Sequence, residues 1–172
     1  MDNMIIYNEA FDIYHCIYRL IAILNHLKND SVELERLRIW DFYLTFPQEI
    51  SNIKFGIKPE DRVIKKLFPF KNNPYEKISN TRNVFSKMQP YQLIAIKSLA
   101  SYGVINKDYL ILNKITLINK ERLGELVSTY TDMSDREMNI IKIMTSYFFY
   151  MPLYGEGGLK NRTNLLEYKY DA

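Results

Sequence analysis

From Phe11 to Leu27 the apolar side chains Phe11, Tyr14, Ile17, Tyr18, Ile21 and Leu24 recur at helical spacing, and Ile13, Cys16, Leu20 and Ile23 widen the stripe beyond one narrow face. The pattern predicts a central, mostly buried helix. Asn29, Asp30 and Ser31 end it and offer caps for a second helix, predicted from about Val32 to Phe46, where Leu34, Leu37, Ile39, Trp40, Tyr43 and Leu44 keep the same period. Pro47 stops that helix. Short helical turns are predicted over 47–53 and 59–67, each opened by a proline whose missing N–H costs nothing at a first helical position.

Residues 68–78 hold two prolines and two asparagines and read as a surface loop. Ser79 or Asn80 caps a helix predicted to end near Met88. Pro90 opens the next, with Leu93, Ile94, Ile96 and Leu99 as its apolar residues and Gly103 as its stop. Val104-Ile105, then 109–112 and 114–118, are rich in β-branched and apolar residues, with Asn113-Lys114 as a weak turn signal, and predict a small hairpin or short strands. A helix is predicted over 120–130 and a longer one over 134–150, with Ser134 as cap and Glu137 three residues on. The tail 163–170 places Leu166, Tyr168 and Tyr170 on one side and predicts a terminal strand. The expected fold class is therefore mainly α with a small β-sheet (α+β). It comprises one domain over 1–172, a helical body with a winged-helix-like unit near 90–130, and a C-terminal strand.

Composition sharpens this picture. With 47% apolar residues among 172, the chain can build one substantial core, and its six glycines and six prolines form no low-complexity tract. Fourteen tyrosines and nine phenylalanines supply rings suited to partly wet contact surfaces. The most apolar stretch, 138–154, is interrupted by Asn139, Lys142 and Pro152, so no membrane span is expected. The first six residues carry Asp2 and lack a basic start followed by an apolar run, so no secretory signal is expected and the location is expected to be cytoplasmic. A single cysteine, Cys16, agrees with a reducing compartment.

Charge is uneven: residues 1–53 carry a net charge of −4, residues 54–87 carry +6, and the remainder carries +1. Lys54, Lys58, Arg62, Lys65, Lys66 and Lys71 thus form a candidate contact for nucleic acid or an acidic partner, or else a solvated face. Candidate chemistry is sparse. His15 and His26 lie about 16 Å apart along an ideal helix and cannot share a metal there. His15 and Cys16 point about 100° apart, which does not align a nucleophile with a base. The 155–160 segment lacks the spacing and ending of a phosphate-binding loop. Catalytic, cofactor-binding and metal-ligating residues are accordingly expected to be none. Asp12, His15 and Arg19 form a polar stripe on the first helix, and Arg38 and Asp41 stand three apart on the second. They suit an ion pair within or between these helices, or a docking edge for a partner. Lys160 and Arg162, beside a glycine pair, suit an anion or a partner's carboxylates, or a terminal strand with exposed charges.

The stretches Tyr7-Asn8-Glu9-Ala10-Phe11-Asp12-Ile13-Tyr14-His15 with Arg19-Leu20, then 34–44 with Phe46-Pro47, Asn73-Pro74-Tyr75, Gly103-Val104-Ile105, 158–163 and 166–171 together resemble the middle component, fifth type, of ABC-three-component systems, which include Lamassu-like antiphage operons. The resemblance spans nearly the whole chain. It implies a non-catalytic subunit that bridges an SMC/Rad50-like ABC ATPase to an effector, commonly a nuclease, and restrains or releases that effector. DNA would then be met through the complex. Asp12, His15, Arg19, Arg38, Asp41, Lys160 and Arg162 are the expected structural or interface residues. The competing expectation is a winged-helix DNA-binding protein or transcription regulator.

Overall fold

A computed structural model describes residues 8–67, 77–130 and 132–166. It is mostly helical with one two-stranded antiparallel sheet among the described residues, the α+β class that the patterning predicts. A 3-10 turn, Glu9–Phe11, leads into α1, Ile13–Asn25. Asp12 caps α1 by accepting the His15 backbone N–H at 2.9 Å, which satisfies one of the donors a helix start leaves unpaired. β1 is Ser31–Glu33 and α2 is Leu34–Thr45, so Val32 belongs to a strand, not to the helix expected there.

α2 is the most enclosed element. Every residue from Arg36 to Leu44 is buried. Its sequence mixes polar and apolar positions all round, because neighbours cover its faces and Arg36, Arg38 and Asp41 find partners inside. Around it pack α1 and α4, Thr81–Ser101, with α6, Asp135–Met144, also in contact. α4 is one continuous helix, where two separated at Pro90 were expected. Phe85, Met88, Gln92, Ala95, Ile96 and Leu99 form one buried stripe across the proline. Burial of that stripe outweighs the roughly 3 kcal/mol that an interior proline costs, and Pro90 itself stands exposed.

After α4, Gly103 takes φ +79°, the left-handed turn that a residue without a Cβ adopts freely. Of the small hairpin or short strands expected over 104–105, 109–112 and 114–118, a short strand forms at 114–116 and a bridge at Ile105, but no hairpin closes at Asn113. Asp108–Leu112 is a 3-10 helix, ended by Asn113 at φ +53°, and β2, Lys114–Thr116, pairs with the distant β1. The register places Val32 opposite Ile115 and Glu33 opposite Lys114, putting two apolar residues into the core and opposite charges side by side. Ile105 bridges Leu117 on the other side of β2. Tertiary pairing thus replaced the local turn, since β1 supplies a matching buried edge.

α5 is Lys120–Ser128, and α6 opens on the capping box of Ser134 and Glu137. α6 stops at Met144, short of the expected Tyr150. The following run, 147–150, is four aromatics in a row, poor helix formers, and Phe148 turns fully into the core. Pro59–Leu67 forms α3 as predicted. Where a terminal strand was expected from Thr163, Leu159–Thr163 is instead helical, α7, and Asn164 reverses the chain at φ +55°. Residues 167–170 of that expected strand lie outside the described residues.

Candidate functional site

The polar stripe of the sequence resolves into a buried lattice joining three helices. Arg19 on α1 donates from Nε to Asp41 Oδ1 at 2.6 Å and from Nη2 to Oδ2 at 3.3 Å, while its Nη1 reaches the Glu9 carbonyl at 3.1 Å. Asp41 on α2 also accepts from Gln92 Nε2 of α4 at 2.8 Å, with the Cys16 thiol 3.8 Å away. Arg38 donates to Gln92 Oε1 at 2.9 Å and lies over the Phe85 ring, and the Gln92 amide also reaches the Arg38 carbonyl. Burial opposes the Arg19 charge, but the adjacent Asp41 carboxylate more than offsets it, and the guanidinium is held above its ordinary pKa. Burial, seconded by the Asp41 charge, pushes the Cys16 thiol far up, so it stays protonated and is a poor nucleophile.

Arg19, Arg38 and Asp41 are thus joined through Asp41 and Gln92, whereas Asp12 and His15 form a separate pair at the start of α1. Arg19, Arg38 and Asp41 are interior. His15 is half-exposed, with Nδ1 3.2 Å from Asp12 and Nε2 3.7 Å from Glu9. Gln92 escaped the sequence analysis. Its signal was a polar residue at a core position of a helical stripe, which in an interior demands a partner.

Lys160 is also buried. Its Nζ lies 3.2 Å from Glu35 Oε2, a charge contact off the line of a good hydrogen bond, and 5.0 Å from the Tyr154 ring centre. Arg162 lies in α7 and donates to the Gly157 and Lys54 carbonyls, tying that turn to the segment before α3. Lys54, Lys58, Arg62, Lys65 and Lys66 are exposed; Lys71 lies outside the described residues.

Beside the lattice runs a groove. A cleft of about 660 Å³ is walled by Tyr14, His15 and Tyr18 of α1, by Leu44 and Pro47, and by the segment that enters α6. A second cleft of about 210 Å³ adjoins it, sharing Tyr18, Tyr130 and Asp132 and lined further on by Ile21, Ala22, Val127, Met133 and Met138. Tyr14, Tyr18, Ala22 and Asn25 recur every three or four residues, so the groove follows one face of α1 for about 17 Å. Tyr18 and Tyr130 pack in its middle with ring centres 5.0 Å apart and planes tilted by 45°. Its wider end carries Glu9, Asp132 and Glu137 against Arg136, the Arg19 charge being already met by Asp41. Burial first, then the Glu137 and Asp132 charges, raise the Tyr18 hydroxyl pKa.

Among the described residues no three His, Cys, Asp or Glu side chains are grouped to hold a metal ion, and no helix is long and apolar enough to cross a membrane. The lattice joins α1, α2 and α4 through Arg19, Arg38, Asp41 and Gln92, so its chemistry is to hold helices in register. The groove, with a wet charged end and a greasy end, has the chemistry of a contact surface. No curated protein and no solved structure matches the chain. The model of ABC-three component (ABC-3C) system Middle Component 5 matches residues 5–171, nearly the full length over which the lattice, the sheet and the groove are built, and the chain belongs to that family.

Proposed function

We propose that this chain is a non-catalytic adaptor of a bacterial antiphage defence complex, joining an SMC/Rad50-like ABC ATPase to an effector and controlling that effector. The observation that carries the proposal is the family match over residues 5–171. The side chains best suited to chemistry support it: the Cys16 thiol, the Asp41 carboxylate and the Arg19 and Arg38 guanidiniums are engaged inside the molecule. Large apolar side chains meanwhile stand exposed on several elements, among them Tyr14, Ile111, Leu112 and Tyr150. Such a division suits a protein that works by contact. Co-expression with the neighbouring genes is expected to yield one complex containing this chain, the ATPase and the effector. A partner-free monomer recovered from that co-expression refutes the proposal.

A second reading, DNA contact through a winged-helix-like unit, is favoured by one feature. α4 carries Arg82, Lys87 and Lys97 and no acidic residue, and is followed by the Ile105 bridge and β2. Affinity of the isolated chain for duplex DNA that falls steeply with salt supports this reading; no binding at low salt removes it.

A further inference from the structure

From Lys77 to Lys107 the chain holds five cations, Lys77, Arg82, Lys87, Lys97 and Lys107, and no carboxylate, and all five cations are exposed. None takes part in an ion pair among the described residues. α4 carries three of them. At about 100° per residue, Arg82, Lys97 and Lys87 fall within an arc of roughly 140° on the side of α4 opposite its buried stripe, and Asn83, Ser86 and Ser101 share that arc. Ile94 is the one exposed large hydrophobic residue of the helix. Arg82 donates to the backbone and side-chain carbonyls of Asn164, which carry no charge. At the C-terminal end, where a helix is negative, Arg122 lays its guanidinium over the Tyr102 ring, 5.3 Å from its centre, and donates to the Tyr102 carbonyl at 2.7 Å. Carboxylates return only beyond this face, at Asp108, Glu121 and Glu125. α3 differs, because Glu60 and Asp61 stand beside its Arg62, Lys65 and Lys66.

Resting on the DNA reading above, we infer that the outer face of α4 lies against the phosphate backbone of duplex DNA. Phosphates are met by cations and by neutral amide and hydroxyl groups, and are repelled by carboxylates, which this face lacks. A protein partner would call for an apolar centre to the contact, and a lone Ile94 does not make one; interfaces with DNA are the more polar and cationic kind. Single strands are held by exposed rings on which bases stack, whereas the one tyrosine of α4, Tyr91, packs against Phe11 at 5.8 Å between ring centres. A rigid helix also suits B-form DNA, whose major groove admits one, better than the narrow major groove of A-form RNA. Arg82 and Lys97 are separated by about 22 Å of helix rise, over which one duplex strand presents roughly six phosphates.

Fluorescence anisotropy of a labelled duplex of about 20 base pairs, titrated with the full chain at roughly 50 mM salt, tests the contact. The logarithm of the affinity is expected to fall with the logarithm of salt at a slope of roughly −3, as for three or so neutralised phosphates. Lys87→Gln and Lys97→Gln, at exposed positions whose folding is checked by circular dichroism, are each expected to weaken binding by roughly tenfold and to flatten the slope by about one. Lys142→Gln, at an exposed lysine of α6, is expected to change neither. Single-stranded DNA, double-stranded RNA and polyglutamate are expected to bind more weakly than the duplex. Any of the three binding as tightly as the duplex overturns the inference. Duplex binding indifferent to the Lys87 and Lys97 substitutions also overturns it and leaves the DNA reading standing, whereas no binding at all removes both. None of these results touches the adaptor proposal, which is read from co-purification with the companion subunits.

Discussion

Removing the Asp41 carboxylate tests the account of the interior most directly. Asp41 is fully buried and accepts two hydrogen bonds from Arg19, at 2.6 and 3.3 Å, and one from Gln92 at 2.8 Å. In Asp41→Ala the Gln92 amide keeps its bond to the Arg38 carbonyl and Arg19 keeps the Glu9 carbonyl, but the guanidinium charge is left in the interior without a counter-ion. Breaking one side of a buried pair typically costs about 3–5 kcal/mol. For a chain of this size each kcal/mol moves Tm by roughly 2–4 °C, so a fall of roughly 6–20 °C is expected. Urea unfolding followed by circular dichroism measures the free energy directly. The companion chain Arg19→Met/Asp41→Leu removes both charges and fills the space with apolar side chains. It is expected to recover most of the loss, because two desolvated charges contribute little net stability over apolar replacements. The double-mutant cycle isolates the coupling. A single-mutant cost below about 1 kcal/mol, or a double mutant no better than Asp41→Ala, refutes the view of Arg19–Asp41 as a mutually dependent buried pair.

Gly158 packs so closely that a Cβ there overlaps the Tyr154 carbonyl and lies 2.9 Å from the Leu153 carbonyl; Gly158→Ala is expected to cost about 1–3 kcal/mol, read as a lowered urea midpoint. Burial raises the Glu33 pKa, but hydrogen bonds from Arg36 at 2.7 and 3.1 Å outweigh it and hold the carboxylate below its ordinary value. Its contribution is therefore present above the unfolded pKa of about 4.3 and lost as pH falls through the lower folded value, and Glu33→Gln is expected to flatten that part of the acid denaturation curve. The Cys16 thiol is expected to resist a disulfide-exchange reagent in the native protein and to react on addition of denaturant; rapid native labelling contradicts its burial against Asp41.

Much of the helical framework was legible in the chain because its signals are local. Stripes such as Ile17, Ile21 and Leu24, the caps at Asn80 and Ser134, and the stop at Gly103 act within one or two turns, and neighbouring residues settle them. The sequence by itself also determined that polar groups on α1 and α2 had to find partners, since their spacing set Arg19 and Asp41 on greasy helices. Tertiary structure decided the rest. The pairing of β1 with a strand more than eighty residues away overrode the turn at Asn113, because burying Val32 against Ile115 is a long-range gain that no local window contains. The same burial carried α4 through Pro90, and the descent of Phe148 into the core ended α6 early. Gln92 and Glu35 became partners of Asp41 and Lys160 only once separate helices were packed together. The groove is likewise a property of the assembled molecule, since its walls come from α1, the end of α2, and the passage from α5 to α6, which only the fold brings face to face.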